Sequence, residues 1–185
     1  FSVAQTTPRG TITDGPYIFG NNNGIQMLTS DGDYKWSIIQ AGHVFPVTSE
    51  DGKHSFLVGL HDIEVPAWKY EQPEKMVVMS DPHGNIDAFV SILQATGVID
   101  QEYNWKFGNG HLVVLGDVFD RGHDMVPILW LIYKLEEQAR LSEGTVHFLT
   151  GNHESMVLGG DLRYVPEKHL SLAAAIGVPY EQLWG

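Results

Sequence analysis

Three short polar runs carry the chemistry this sequence can do, and each follows directly on an apolar run. Asp81-Pro82-His83-Gly84 comes after Met76-Val77-Val78-Met79-Ser80. Gly116-Asp117-Val118-Phe119-Asp120-Arg121-Gly122 comes after His111-Leu112-Val113-Val114-Leu115. Gly151-Asn152-His153-Glu154 comes after Val146-His147-Phe148-Leu149-Thr150. Asp81 and His83, two apart on an extended turn, can offer one cation an oxygen and a nitrogen. Asp117 can bridge two cations through its two carboxylate oxygens, and Asn152 can give the second a neutral carbonyl oxygen. Such a mixed set suits manganese, iron or zinc better than magnesium or calcium. Two such ions about 3.5–4 Å apart can clamp a phosphate and activate a bridging water for in-line attack at phosphorus. His153 stands where it can protonate the leaving oxygen, and Asp120 can hold that imidazole in the required tautomer. Arg121 offers a planar fork to phosphate oxygens. Taken singly the runs are unspecific: Asp-x-His is common, Asp120-Arg121 can be a surface ion pair, and Gly84, Gly116, Gly122 and Gly151 can be ordinary turn glycines. Their order, each after a strand-like run, is what makes them one site.

The elements that must position these runs can be read as well. Short Val- and Leu-rich runs fit buried strands of a mostly parallel sheet, whose carboxyl ends are where function collects. Asn85 can cap a helix with Ile86, Phe89, Val90 and Leu93 on one face, ending near Gly97. Asp124 can cap the next, with Pro127 in its first turn and Ile128, Leu129, Ile132 and Leu135 toward the sheet. A short helical turn after Glu154 stops at Gly159-Gly160, and further helical stretches cover about Glu167 to Ile176 and the residues from Pro179. From Gly15 to about Asp62 the pattern is instead one of short β-like runs broken by Asn-Gly and Asp-Gly turns, a small antiparallel sheet or meander. Pro66 to Pro73 reads as a linker. The expected organisation is a leader over 1–14, a β-rich module with its linker over 15–73, and an α/β domain over 74–185. Within the module Ser30, Asp31 and Asp33 are turn residues rather than a calcium loop. His43, His54 and His61 read as surface or strand-face histidines, and Trp36 and Trp68 as packing residues.

Composition narrows the function. The 185 residues carry 23 acidic against 11 basic side chains, a net charge of −12. That argues against broad nucleic-acid contact, which needs a basic footprint, but not against a small phosphorylated substrate drawn by a bound metal. There is no cysteine, so any metal must be held by His, Asp, Glu or Asn. No stretch is long and apolar enough for a membrane span. Phe1-Ser2-Val3-Ala4-Gln5 is similar to the tail of a secretory signal, which leaves a periplasmic or secreted location and a cytoplasmic one both open.

The three runs together resemble the calcineurin-like metallophosphoesterase superfamily, whose motifs are written Asp-x-His, Gly-Asp-x-x-Asp-Arg-Gly and Gly-Asn-His-Glu. The Asp-Arg-Gly form and the Glu after His153 resemble its phosphoprotein phosphatase branch. Gly160-Asp161-Leu162-Arg163-Tyr164-Val165 is similar to the Shewanella-like protein phosphatases within that branch. The resemblance covers about residues 75 to 166. It implies an α/β calcineurin-like sandwich, here preceded by the small antiparallel module. It implies Asp81, His83, Asp117 and Asn152 as ligands of two metal ions (manganese, iron or zinc), His153 as general acid and Asp120 as its partner. Arg121, Asn152 and, more weakly, Arg163 are then phosphate contacts; a salt bridge of Arg163 with Asp161 or Glu154 is the alternative. The implied activity is a phosphomonoesterase acting on a phosphorylated protein, peptide or small molecule, with the choice between Ser/Thr and Tyr not set by these residues. A dinucleoside polyphosphate hydrolase shares the three loops, and an inactive or regulatory piece is the alternative outside enzymes. Two departures stand out. Ser80 replaces the usual Gly before the first motif. The two histidines that complete the second metal in the resembled family come well downstream, and after His153 this chain has only His169, expected as a solvated helix residue beside Glu167 and Lys168. The residues therefore read as the N-terminal part of a longer enzyme, with remaining polypeptide completing the second metal position.

Overall fold

The computed structural model describes residues 13–21, 24–31 and 33–184. Most of the expected leader, the Asn22-Asn23 and Gly32 turn positions and Gly185 lie outside the described residues. The chain forms two compact units, the first ending at Gln40 and the second running from Ala41.

The first unit is an antiparallel sheet of β1 (Thr13–Asn21), β2 (Gly24–Asp31) and β3 (Tyr34–Ile39), in that order. Leu28 pairs with Tyr17 on one side and Trp36 on the other. Leu28 and Tyr17 are buried, and Trp36 lies 5.6 Å from Phe19 while remaining half exposed. The Asp14 carboxylate accepts hydrogen bonds from Tyr17 Oη and the Gly15 N–H, both at 2.9 Å.

The second unit opens with a hairpin, β4 (Val44–Thr48) and β5 (Ser55–Gly59). Alternation turns Phe45, Val47, Phe56 and Val58 inward, as a sheet with one buried face requires. Their cover is a long helix, α2 (Met125–Leu141), whose Trp130 meets Phe45 edge-on at 5.0 Å. The boundary between the two compact units thus falls after Gln40, ahead of the hairpin. The hairpin has an apolar face and spends it on α2. The stretch after the hairpin has no regular structure until Met76. It is pinned where His61 stacks on Tyr133 at 3.9 Å, with Tyr133 Oη accepting from the His61 N–H and donating to its carbonyl. Trp68 on this stretch is 94% exposed, against the packing role expected for it.

The sheet that matters for function has three parallel strands, β6 (Met76–Met79), β7 (His111–Val114) and β8 (Thr145–Phe148), in that order. Their ends are level, Met79 against Val114 against Phe148. The three polar runs thus leave the sheet side by side. Met79, Leu112, Val114 and Val146 are buried, while the alternate residues Met76 and Val78 are half exposed. After the first loop α1 (Ile86–Ala95) starts as expected, with Asn85 Oδ1 accepting the Ala88 N–H at 3.0 Å and Ile86, Phe89, Val90 and Leu93 buried. At the start of α2 Asp124 holds the cap position but makes no cap bond; its carboxylate accepts the Glu50 N–H at 2.7 Å instead. Leu131 rather than Leu129 completes the buried stripe. The chain goes on through α3 (Asn152–Leu158), α4 (Glu167–Ile176) and a 3-10 turn (Tyr180–Leu183). His169 is fully buried, not solvated, because it shares the inner stripe of α4 with Leu172 and Ala173, the i, i+3, i+4 spacing of one helix face. No helix among the described residues is long and apolar enough to cross a membrane.

Candidate active site

The first two loops are zipped together along their backbones. The N–H groups of His83 and Gly84 donate to the carbonyls of Asp117 and Val118 at 2.9 and 3.0 Å, and those of Gly122 and Asp124 donate back to His83 and Gly84 at 2.9 and 3.1 Å. This contact leaves no room for side chains. A Cβ on Gly122 would lie 2.3 Å from the His83 carbonyl, and one on Gly116 (φ +88°) would lie 2.2 Å from the Gly151 N. These are close-approach glycines rather than ordinary turn glycines. Asp81, His83, Asp117, Asp120 and Arg121 all have φ between 43° and 70°. For residues with a Cβ each such position costs about 1–2 kcal/mol and persists only where the surroundings over-determine it.

Glu154 supplies much of that determination. Its carboxylate, 4% exposed, accepts the N–H groups of Asp117, Val118, Phe119 and Gly151 at 2.8–3.0 Å. An ionised acceptor makes the stronger kind of hydrogen bond. Glu154 thereby fastens the second loop to the start of the third. Sequence reasoning treated Glu154 as a motif letter or a partner for Arg163. Its place three residues after Gly151 hinted at a bond back to the cap N–H, but the three donors from the second loop are brought to it only by the fold.

The side chains converge above this frame. His83 Nδ1 donates to the Phe119 carbonyl at 2.9 Å, which leaves Nε2 with its lone pair for the site. Asp81 Oδ2 lies 3.8 Å from that nitrogen, and the Ser80 hydroxyl donates to the other Asp81 oxygen. Asp117 Oδ1 accepts the His153 N–H at 2.8 Å. His153 Nδ1 donates to Asp120 Oδ2 at 2.7 Å, with both residues buried and Asp120 Oδ1 without a hydrogen-bond partner among the described residues. The imidazole is thus fixed with Nε2 outward, and a guanidinium nitrogen of Arg121 comes within 3.5 Å of it. His83, Asp117 and His153 each offer a ligand atom within 4.8 Å of the others. An imidazole oriented by a carbonyl behind it, beside carboxylate oxygens, fits a borderline divalent ion.

The remaining candidates lie further out. Asn152 is the exposed first residue of α3. Arg163 is exposed and forms a two-pronged pair with Asp161, closest at 2.7 Å, which holds the Asp161 carboxyl below its usual range. Of the two ion-pair partners considered for Arg163, the fold gives Asp161, since Glu154 is committed to the backbone. His169 is not among the grouped residues; its ring lies 6.3 Å from that of Tyr180.

This fold and arrangement are those of a phosphoesterase. Residues 74–182 match the calcineurin-like phosphoesterase family, and the chain belongs to it. It is 36% identical over 107 residues to Shewanella-like protein phosphatase 2 of Arabidopsis thaliana, covering 58% of this chain and 27% of that protein. It is 35% identical over 98 residues to Shewanella-like protein phosphatase 1 of Plasmodium berghei, covering 53% of this chain and 27% of that protein. The crystal structure of the cold-active protein-tyrosine phosphatase of a psychrophilic Shewanella superposes with a TM-score of 0.82 at 37% identity, covering 93% of this chain and 53% of that one. The chain spans about a quarter of the length of the curated relatives and about half that of the solved structure.

Proposed function

We propose that this chain carries the catalytic loops of a metal-dependent phosphomonoesterase that acts on phosphorylated protein. The observation that carries the reading is the His153–Asp120 pair, aimed at the same space as His83 and Asp117. The relatives' names, protein phosphatase and protein-tyrosine phosphatase, support a phosphoprotein substrate. Asp81, His83, Asp117 and Asn152 would hold the metal. Ions there would supply Lewis acidity that polarises phosphate and water toward attack at phosphorus. His153, its Nδ1 proton held by Asp120, presents Nε2 to the leaving oxygen and delivers a proton there. Arg121, beside His153, gathers phosphate oxygens, and Asn152 and Arg163 can add contacts from the rim. The second loop, held by Glu154, keeps Asp117 and Asp120 from relaxing when charge builds up between them.

Elemental analysis run beside hydrolysis of an aryl phosphate and a phosphopeptide panel tests this. The expected result is metal retained with activity in the wild type, and neither in Asp117→Ala. Equal hydrolysis by metal-stripped protein would overturn the metal dependence. Hydrolysis of diadenosine tetraphosphate alone would overturn the phosphoprotein substrate.

A further inference from the structure

We propose that Glu50, in the turn between β4 and β5, is a positioning residue for the loop that carries Asp120 and Arg121, acting through His123 and Asp124. Glu50 lies outside residues 74–182, the part matched to the family. Its backbone N–H donates to Asp124 Oδ1 at 2.7 Å, its Oε2 accepts from His123 Nδ1 at 2.6 Å, and its Oε1 lies 3.9 Å from Lys168 Nζ on α4. The turn itself is tightly made. Ser49 Oγ, almost fully buried, accepts the His54 N–H and donates to Asp51 at 3.0 and 2.9 Å. At its other end His54 Nε2 meets Asp87 at 2.7 Å on the first turn of α1, and His54 Nδ1 meets Tyr103 Oη at 3.0 Å. One turn therefore grips the starts of both helices that follow the first two loops.

The loop needs such a grip at this end. Asp120 and Arg121 are consecutive left-handed residues, with φ of 70° and 65°. Upstream of them, the Asp117 to Phe119 amides are held by Glu154. Downstream, the holds are the Tyr164 carbonyl on the Arg121 N–H at 3.0 Å, the bonds of Gly122 and Asp124 to the first loop, and Glu50. Burial pushes the Asp124 carboxyl above its usual range, and the Glu50 N–H that it accepts at 2.7 Å works against that shift. Removing the Glu50 side chain takes away the acceptor of His123 and the partner of Lys168, leaves the Glu154 clamp intact and loosens the half of the loop that aims Arg121.

The consequence for phosphate rests on the reading of Arg121 given above; the coupling of Glu50 to the loop does not. Amide hydrogen exchange on the whole chain decides the coupling. In Glu50→Ala the amides of Arg121, Gly122 and Asp124 are expected to exchange at least about tenfold faster, with those of Leu112 to Val114 unchanged. Unchanged exchange at the loop, or faster exchange throughout the chain, overturns the proposal. Both substitutions keep the backbone N–H to Asp124; Glu50→Gln, which also keeps a neutral acceptor for His123, is expected to fall between. Titration of inorganic phosphate into the manganese-loaded protein then tests positioning. Glu50→Ala is expected to weaken binding about threefold to tenfold and to add nothing in an Arg121→Ala background, the non-additivity of residues acting as one unit. Additive effects, or phosphate affinity unchanged in Glu50→Ala while Arg121→Ala weakens it, overturn the positioning role. Phosphate binding that Arg121→Ala leaves unchanged overturns the reading of Arg121 alone, because the exchange result stands apart from it.

Discussion

Two histidine pairs, one beyond the carboxyl ends of the parallel strands and one on the strands, are treated in opposite ways. At the carboxyl ends of the strands, His83 and His153 lie with ring centroids 4.6 Å apart, each with a fixed acceptor behind it. His83 Nδ1 is held by the Phe119 carbonyl and His153 Nδ1 by the Asp120 carboxylate, so both outer nitrogens are left to the site. On the strands themselves, His147 Nε2 meets His111 Nδ1 at 3.0 Å, and Tyr70 stands edge-on to both rings. Here each histidine spends a nitrogen on the other. A histidine is made chemically useful by an acceptor behind one nitrogen that leaves the other in front of the cavity. Four histidines on and just beyond one sheet are sorted by this, and only His83 and His153 turn a nitrogen to the candidate site.

The largest effect should come from breaking the first pair. His153→Ala is expected to lower turnover on aryl phosphate by about 10²–10⁴, the usual range for a general acid, with metal content nearly unchanged. Loss of metal with activity would instead make His153 a ligand. Its ligand nitrogen is close enough to those of His83 and Asp117 for that outcome to be decisive.

Next in size is the frame beneath the pair. Glu154→Ala would strip the acceptor from four backbone N–H groups, Asp117 to Phe119 and Gly151. Leaving buried donors unpaired costs about 1–3 kcal/mol each before water enters, so a loss on the order of 3 kcal/mol or more is expected in chemical denaturation. Asp81 makes the counter-case, with a side chain 57% exposed. Asp81→Asn, which keeps a residue type that tolerates the φ of 54° there, should change the stability of the metal-free protein by no more than about 0.5 kcal/mol, as exposed substitutions do, while weakening metal retention. If the two substitutions cost the metal-free fold alike, the division between frame and ligand is wrong.

The sequence made some of this legible and not the rest, for physical reasons. The strand-loop order, the parallel sheet and the Asn85 cap are local, carried by apolar runs and by one side chain reaching three residues on. The family likeness followed from the same loops. What was misread depends on distant partners. Asp124 has the right residue type for a cap but meets the Glu50 N–H, 74 residues away in sequence. The charged neighbours Glu167 and Lys168 point His169 to solvent, yet the helical stripe with Leu172 turns it inward. Residue type points Trp68 to packing, yet the fold leaves it on the surface. The β4–β5 hairpin looked continuous with the strands before it because both share the alternating pattern. Only the apolar face of α2 decides where that hairpin belongs.

The smallest effect is expected from the second histidine pair, and it has a definite sign. Burial, and then the neighbouring His111, lower the His147 pKa below its ordinary 6.5 in the fold. Below 6.5 the unfolded chain therefore binds more proton than the folded one, and stability falls as pH falls through that window. Above 6.5 both states are neutral at this position and the contribution is fully present. Glu136 acts the other way: burial raises its pKa, so its ionised form costs stability as pH rises above 4.5. A melting curve of the wild type alone would mix the two. The informative quantity is the difference in Tm between wild type and His147→Gln, measured from pH 7 down to pH 5. The wild type should lose up to a few degrees more than the variant, the scale of a sub-kilocalorie effect in a chain of this size. Parallel curves would mean that the strand pair tolerates a proton.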